Sequence, residues 1–165
     1  MEITTDAKII SYIKRKIKDS HNIVAVLGIE MLVEGGGCDL DSNVENYRVE
    51  EEYGFCPEDM LSTSFFNAKV EKFYRFYKKE ILGMHQHSTA AYDVLLKLQK
   101  QGKLSAVISQ NFHGIPQSVH LKNVIELNGS ININQCPHCD KDFNIQYIID
   151  AQGIPQCDHC KVAIR

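Results

Sequence analysis

No apolar run in this 165-residue chain approaches the roughly 20 residues that a membrane-spanning helix needs. The opening stretch is charged and amphipathic and lacks a signal-peptide core, so the sequence predicts a soluble, cytoplasmic protein. A basic excess is missing as well. The 18 Lys and Arg against 21 Asp and Glu leave a net charge of -3, which argues against a face that neutralises many phosphates of a nucleic-acid duplex. Cysteine is sparse: of six, four are gathered near the C-terminus. Cys38 and Cys56 stand far apart in the chain, a usage that fits a reducing compartment better than an oxidising one. What the chain does have is 44% hydrophobic residues, enough to build one core with or without a small insert.

Cys136, Cys139, Cys157 and Cys160 form two Cys-x2-Cys pairs separated by seventeen residues. Two cysteines three apart turn both sulfurs toward one point when the intervening pair makes a tight turn, and Pro137-His138 and Asp158-His159 suit that turn. Four thiolates leave no open position on a tetrahedral metal. The spacing therefore predicts a structural zinc site that holds a small module together and does not activate water. Two disulfides, or scattered core thiols, are the competing account of the same residues. His138 and His159, in the middle of each pair, are expected to face solvent. Near these pairs only Lys141, Lys161 and Arg165 are basic, a poor fit to a nucleic-acid-binding ribbon.

Along the rest of the chain, Ile9, Ile10, Ile13 and Ile17 recur at helical spacing among lysines, so residues from about 5 to 19 should form an amphipathic helix that packs on the body of the protein. Ile23-Val24-Ala25-Val26-Leu27 is short, continuous and apolar, which suits a strand buried on both faces of a parallel sheet and ended by Gly28. Two further strands are expected at Leu104–Ser109, after a helix from Ser88 to near Gly102, and at Asn123–Leu127. Between the first two strands lie an acidic, glycine-containing stretch and a helical segment whose Phe73, Phe76, Tyr77 and Leu82 are expected in a core. The pattern is α/β: a partial Rossmann-like parallel sheet with a helical excursion at about 40–90, within 1–130, and a four-cysteine zinc-ribbon module at 131–165.

The order of these pieces carries a resemblance. A strand with its glycine, a long helical excursion, then Ser109-Gln110-Asn111, then Asn123-Val124-Ile125-Glu126-Leu127-Asn128-Gly129-Ser130, then the paired cysteines, resembles the sirtuin family of NAD-dependent protein deacylases over most of the chain. Tyr53-Gly54-Phe55-Cys56-Pro57-Glu58, Ser64-Phe65-Phe66-Asn67 and Gly153-Ile154-Pro155-Gln156-Cys157 are similar to the helical lid and the second zinc knuckle of bacterial members. The resemblance implies that Gly28, Asp39, Gln110, Asn111 and His113 occupy the family's cofactor-binding positions, and that Asn128 occupies the position of its catalytic histidine.

Several of those positions depart from the family's pattern. Its Thr-Gly-Ala-Gly-Ile-Ser glycine turn, whose backbone approaches a pyrophosphate, reads Leu27-Gly28-Ile29-Glu30-Met31-Leu32 here. The arginine of Gly-Ile-Pro-Asp-Phe-Arg is replaced by Asp41, although Asp39 is kept. Gln-Asn-Ile-Asp becomes Gln110-Asn111-Phe112-His113. Asn128 is an amide, which hydrogen-bonds a ribose but has no lone pair basic enough to serve as a general base near neutral pH. The family's chain also continues past its zinc module to add strands and the adenosine half of the NAD site, and no such return follows Ile164-Arg165 here.

These observations predict a degenerate, C-terminally short sirtuin-like protein without deacylase turnover, keeping its zinc module and acting as a binding or regulatory protein for a protein or acyl-lysine peptide. The alternatives are a deacylase whose NAD site is completed by a missing C-terminal half or second chain, and a zinc-ribbon protein-interaction adaptor. In each case the apolar edge of the 23–27 strand calls for cover by a homo- or hetero-oligomeric partner or a longer parent chain.

Overall fold

The computed structural model describes residues 5–84 and 87–165. Helix α1 (Thr5–Asp19) leads into strand β1 (Ile23–Leu27) and the short α2 (Glu30–Glu34). Next come α3 (Asn43–Tyr53), α4 (Pro57–Met60), α5 (Thr63–Ala68) and α6 (Val70–Phe76), which runs into a π-helical stretch at Tyr77–Leu82. Helix α7 (Ala90–Lys100) returns the chain to β2 (Leu104–Ser109), and α8 (Ile115–Ser118) precedes β3 (Val124–Glu126). The C-terminal part holds β4 (Asn134–Gln135), β5 (Asp142–Phe143) and α9 (Ile145–Asp150). Local chemistry sets several boundaries. The side chains of Ser42, Ser62 and Asn144 accept the backbone N–H three residues on and so cap α3, α5 and α9. Gly54 ends α3 in the left-handed region at φ 79°.

The three strands expected from the sequence are parallel and ordered β1-β2-β3. One extra residue of β2 is accommodated between the pairs Ile23 to Leu104 and Val24 to Ala106. On one face of the sheet, Leu27 and Val107 are buried with Leu32, Tyr92, Ile115 and Leu121. The other face differs from expectation. Val24, Val26 and Ile125 are 54%, 63% and 52% exposed, so β1 is buried on one face only, and it stands at the sheet's edge, paired with β2 alone. A continuous apolar run reports that both faces call for cover; among the described residues, one receives it.

Helix α1 departs in the same sense. Ile9, Ile10, Tyr12 and Ile13 remain about half exposed, and a firm attachment of the helix comes at its end, where the Lys103 ammonium donates to the carbonyls of Ile17 and Lys18. Helical periodicity identifies the face that seeks a partner and does not supply the partner.

Two more cores lie beyond the sheet. Val49, Tyr53, Met60, Phe65, Phe76 and Ile81 pack together inside the helical excursion. Glu80, 10% exposed at its side chain, accepts from Arg48 Nη2 at 2.6 Å and from the Tyr53 hydroxyl at 3.0 Å, a charge-assisted tie between α3 and the π-helical stretch. The third core joins the excursion to the cysteine module: Phe66 and Tyr74 are buried with Cys136, Phe143, Ile148, Cys157 and Ile164. Across that junction the Tyr74 hydroxyl donates to the Ile164 carbonyl and the Lys78 ammonium to the Ala151 carbonyl. Among the described residues, no helix is long and apolar enough to cross a membrane.

Candidate functional site

A cavity of about 550 Å³ opens beyond the C-terminal ends of β1 and β2, the end of a parallel sheet where α/β folds place their ligands. Gly28 and Glu30 reach it from the turn after β1, Asp39 and Asp41 from the following loop, Gln110, Asn111 and His113 from the end of β2, and Asn128 from the end of β3. Every cofactor position implied by the resemblance thus lines one space.

The turn after β1 is tied to the end of β2. The Asn111 side-chain amide donates to the Gly28 carbonyl at 2.7 Å, and the Ser109 hydroxyl donates to the Asn111 carbonyl at 2.8 Å. Asn128 is fixed similarly, its amide donating to the Gln110 carbonyl at 2.8 Å. Asp39 accepts the Asp41 N–H at 3.1 Å, which bends the loop over the cavity. The Glu30 carboxylate folds back on the turn: a Cβ built on Gly28 would meet Glu30 Oε2 at 2.7 Å and Gln110 Oε1 at 3.5 Å. The space beside the Gly28 backbone is therefore taken by a carboxylate.

His113 is the unusual group here. Its ring stacks on Phe112 with centroids 4.4 Å apart, and both ring nitrogens are buried without a hydrogen-bond partner among the described residues. Burial lowers its pKa to about 4, so the imidazole is neutral at pH 7. Cys38 also lines the cavity. Burial, reinforced by a hydrogen bond to Glu45, pushes its thiol up to about 11, leaving it protonated and a poor nucleophile.

The lining has a consistent sign. Glu30, Asp39, Asp41 and Glu58 contribute carboxylates, and among the described residues no lysine or arginine lines the space. Glu58 on α4, Leu61 and Ser62 between α4 and α5, and Met84 beyond the π-helical stretch also line the cavity; of these, Glu58 alone lies in a segment, Cys56-Pro57-Glu58, that the sequence marks. A smaller slot of about 380 Å³ with a mixed polar and apolar lining adjoins the cavity, formed by Leu61, Tyr77, Phe112, Asn128, Ser130 and Ile131, sharing three of these residues with it.

The four cysteines meet at the other end of the molecule, with their sulfurs all within 4.8 Å of one another. Cys139 and Cys157 Sγ are 3.8 Å apart, which matches the edge of about 3.8 Å expected for a tetrahedron with Zn–S bonds near 2.3 Å. None of the cysteines is disulfide-bonded. The two knuckles repeat one geometry. The Asp140 N–H donates to the Cys136 carbonyl at 3.0 Å and the Lys161 N–H to the Cys157 carbonyl at 2.9 Å. Asp140 and Lys161, each four residues after the first cysteine of its pair, take φ values of 57° and 58°. The donor set and spacing fit zinc, with Cys136, Cys139, Cys157 and Cys160 as its ligands. His138 and His159 are exposed, as expected, with Nδ1 atoms 3.4 and 3.5 Å from Cys160 Sγ.

A model of the Sir2 family matches residues 44–165. The chain belongs to the Sir2 family. Among curated sirtuins, it is similar to an NAD-dependent protein deacetylase of Clostridium tetani, 38% identical over 149 residues that cover 90% of this chain and 60% of that protein. A Clostridium acetobutylicum NAD-dependent protein deacetylase is 36% identical over 153 residues, 88% of this chain and 62% of that protein. A solved structure described as addressing the structural basis of sirtuin substrate affinity superposes with a TM-score of 0.81 at 27% identity, covering 93% of this chain and 62% of its own. A mutant Sir2 solved with a p53 peptide and NAD gives a TM-score of 0.76 at 26% identity, covering 94% and 61%. The chain thus spans about 60% of the length of the sirtuins it matches.

Proposed function

We propose that this sirtuin chain is a zinc-bearing binding or regulatory protein that engages a protein segment carrying an acylated or similarly apolar lysine and does not turn over NAD. The observation that carries this reading is Glu30, whose carboxylate rests against Gly28 where a pyrophosphate would need backbone approach and positive charge. Like charges about 4 Å apart at an effective dielectric of 20 repel by roughly 4 kcal/mol, and Asp39, Asp41 and Glu58 add to the same field. The residues present therefore do not fit a dinucleotide, and Gly28, Asp39, Gln110, Asn111 and His113 are read as vestiges of its site. Asn128 supports the same conclusion, since its amide is engaged as a donor to Gln110 and lacks the basicity to take a ribose proton. A peptide side has a candidate place: in the adjoining slot Leu61, Tyr77, Phe112 and Ile131 offer apolar contacts to an acyl chain while Asn128 and Ser130 offer polar ones, and a relative's structure holds a peptide. Calorimetric titration into zinc-loaded protein tests both halves. Heat with an acetyl-lysine peptide and none with NAD up to millimolar is expected; micromolar NAD binding would overturn the reading.

A second reading is favoured by the open edge of β1 and the bare sheet face at Val24, Val26 and Ile125. In it, further chain or a second polypeptide completes the sheet and an NAD-dependent protein lysine deacylase is assembled from the parts. Nicotinamide release that requires both an acyl-lysine peptide and added polypeptide would identify this case.

A further inference from the structure

Lys69, just before α6, is followed at three-residue spacing by Lys72 and Arg75 on α6 and Lys78 on the π-helical stretch. Where this ridge meets the cysteine module there is a groove of about 420 Å³, lined by Glu71, Lys72, Tyr74, Arg75, Lys78 and the Gly153–Ile154 turn. Three cationic residues and one acidic residue contribute to a lining that is otherwise mostly apolar, the opposite charge balance to the large cavity.

Two of the groove's cations, Lys72 and Arg75, are held loosely. Arg48, Lys79 and Lys141 sit in ion pairs, whereas Lys72, Arg75 and Lys78 form none among the described residues. The Arg75 guanidinium carbon lies 5.6 Å from the Tyr53 ring centroid and Lys72 Nζ 5.0 Å from that of Phe55. Such exposed cation–π contacts are worth about 0.5–1 kcal/mol, less than the roughly 1.5–3 kcal/mol of a hydrogen bond to a charged group. An anion entering the groove therefore outcompetes the rings for both heads. Lys78 is anchored by its donation to the Ala151 carbonyl and keeps further donors free, since an ammonium has three. On the facing wall, the N–H groups of Gly153 and Ile154 have no backbone acceptor among the described residues, and nothing lies within 4 Å of a Cβ placed on Gly153. Cationic side chains on one side and free amide N–H groups on the other are complementary to a compact oxyanion.

We infer that the groove between α6 and the Gly153–Ile154 turn binds a phosphate monoester through Lys72, Arg75 and Lys78. The ester comes either from a phosphorylated side chain of a polypeptide or from a free phosphorylated metabolite. The site is separate from the cavity at the strand ends, and its far wall depends on the folded cysteine module, because Ile154 lies three residues before Cys157.

The test is calorimetric titration of a short phosphoserine peptide, its unphosphorylated form and glycerol phosphate into zinc-loaded full chain, beside the double variant Lys72→Gln/Arg75→Gln. Both residues are exposed, so the variant keeps its fold, checked by circular dichroism. The expected result is phosphate-dependent binding that weakens at least about tenfold in the variant, with each lost charge-assisted bond contributing, and that falls with added salt. Tighter binding of the phosphopeptide than of glycerol phosphate assigns the polypeptide source; equal binding assigns the free ester. No phosphate-dependent heat up to millimolar with either ligand overturns the proposal, as does binding that the double variant leaves unchanged.

Discussion

The Asn111 side-chain amide donates to the Gly28 carbonyl at 2.7 Å, fastening the end of β2 to the turn that follows β1. Asn111 is 7% exposed, so the bond is shielded from water. Replacing Asn111 with Leu keeps the volume and removes the donor, leaving a partly buried carbonyl unpaired. The expected loss is about 1 to 3 kcal/mol, read in urea as a lower midpoint with an unchanged slope. A variant as stable as the parent would mean that water replaces the amide and that the tie contributes nothing.

Glu30 and Gly28 make the opposite kind of contact, a carboxylate laid against the backbone it blocks. Glu30→Ala removes one like charge and opens the turn. Relief of even a third of the roughly 4 kcal/mol repulsion estimated for a close pair corresponds to about a tenfold gain in affinity for a pyrophosphate. NAD or ADP-ribose titrated into Glu30→Ala should therefore bind measurably better than into the parent. Equal absence of binding in both would move the obstacle from this residue to the other carboxylates.

His113 predicts a pH dependence with a definite sign. Its folded pKa is lowered from an ordinary 6.5 to about 4 by burial. Below pH 6.5 the unfolded chain takes up a proton that the folded chain refuses, so stability declines as pH falls from about 6.5 to 4 and then levels off. The contribution from this group is at most about 3 kcal/mol, reduced by whatever solvent reaches the ring. In His113→Phe, which preserves the stack on Phe112, the part of the acid sensitivity between pH 6.5 and 4 that is due to this ring should disappear. Parallel urea midpoints for parent and variant across that interval would sink the assignment.

Much of this geometry was legible in the chain. The runs at 23–27 and 104–109 became β1 and β2 with those bounds, because continuous apolar sequence bounded by Gly28 and Gly102 has few other uses. The third strand is shorter than expected, Val124–Glu126, since pairing with β2 extends only over Val107–Ser109. The cysteine spacing gave the cluster, and the Gln110-Asn111 and Asn128 positions gave one wall of the cavity. Burial of whole faces was not legible. Ile9, Ile13, Val24 and Val26 have the pattern of packed residues and are exposed, because pattern encodes a demand for contact and not its source. Nor does spacing reveal that Glu30 turns back onto Gly28, or that Phe66 and Tyr74 share a core with residues some seventy positions later. Those are long-range packing outcomes.

That shared core makes the zinc site more than a local clasp. Cys136 and Cys157 are fully buried beside Phe66 and Tyr74, and Tyr74 donates to the Ile164 carbonyl. Structural zinc in small modules supplies roughly 10–16 kcal/mol of apparent binding energy, comparable with the whole stability of a typical domain, about 5–15 kcal/mol. Strong chelation, or Cys157→Ser, should therefore unfold the ribbon and also loosen α5 and α6, whose inner face loses its partner. Hydrogen exchange would show faster exchange in residues 63–76 together with 131–165, while β2 and α7, which pack in a different core, keep their protection. Exchange that rises in the ribbon alone would mean that the packing of Phe66 and Tyr74 persists without metal and that the two parts are energetically independent.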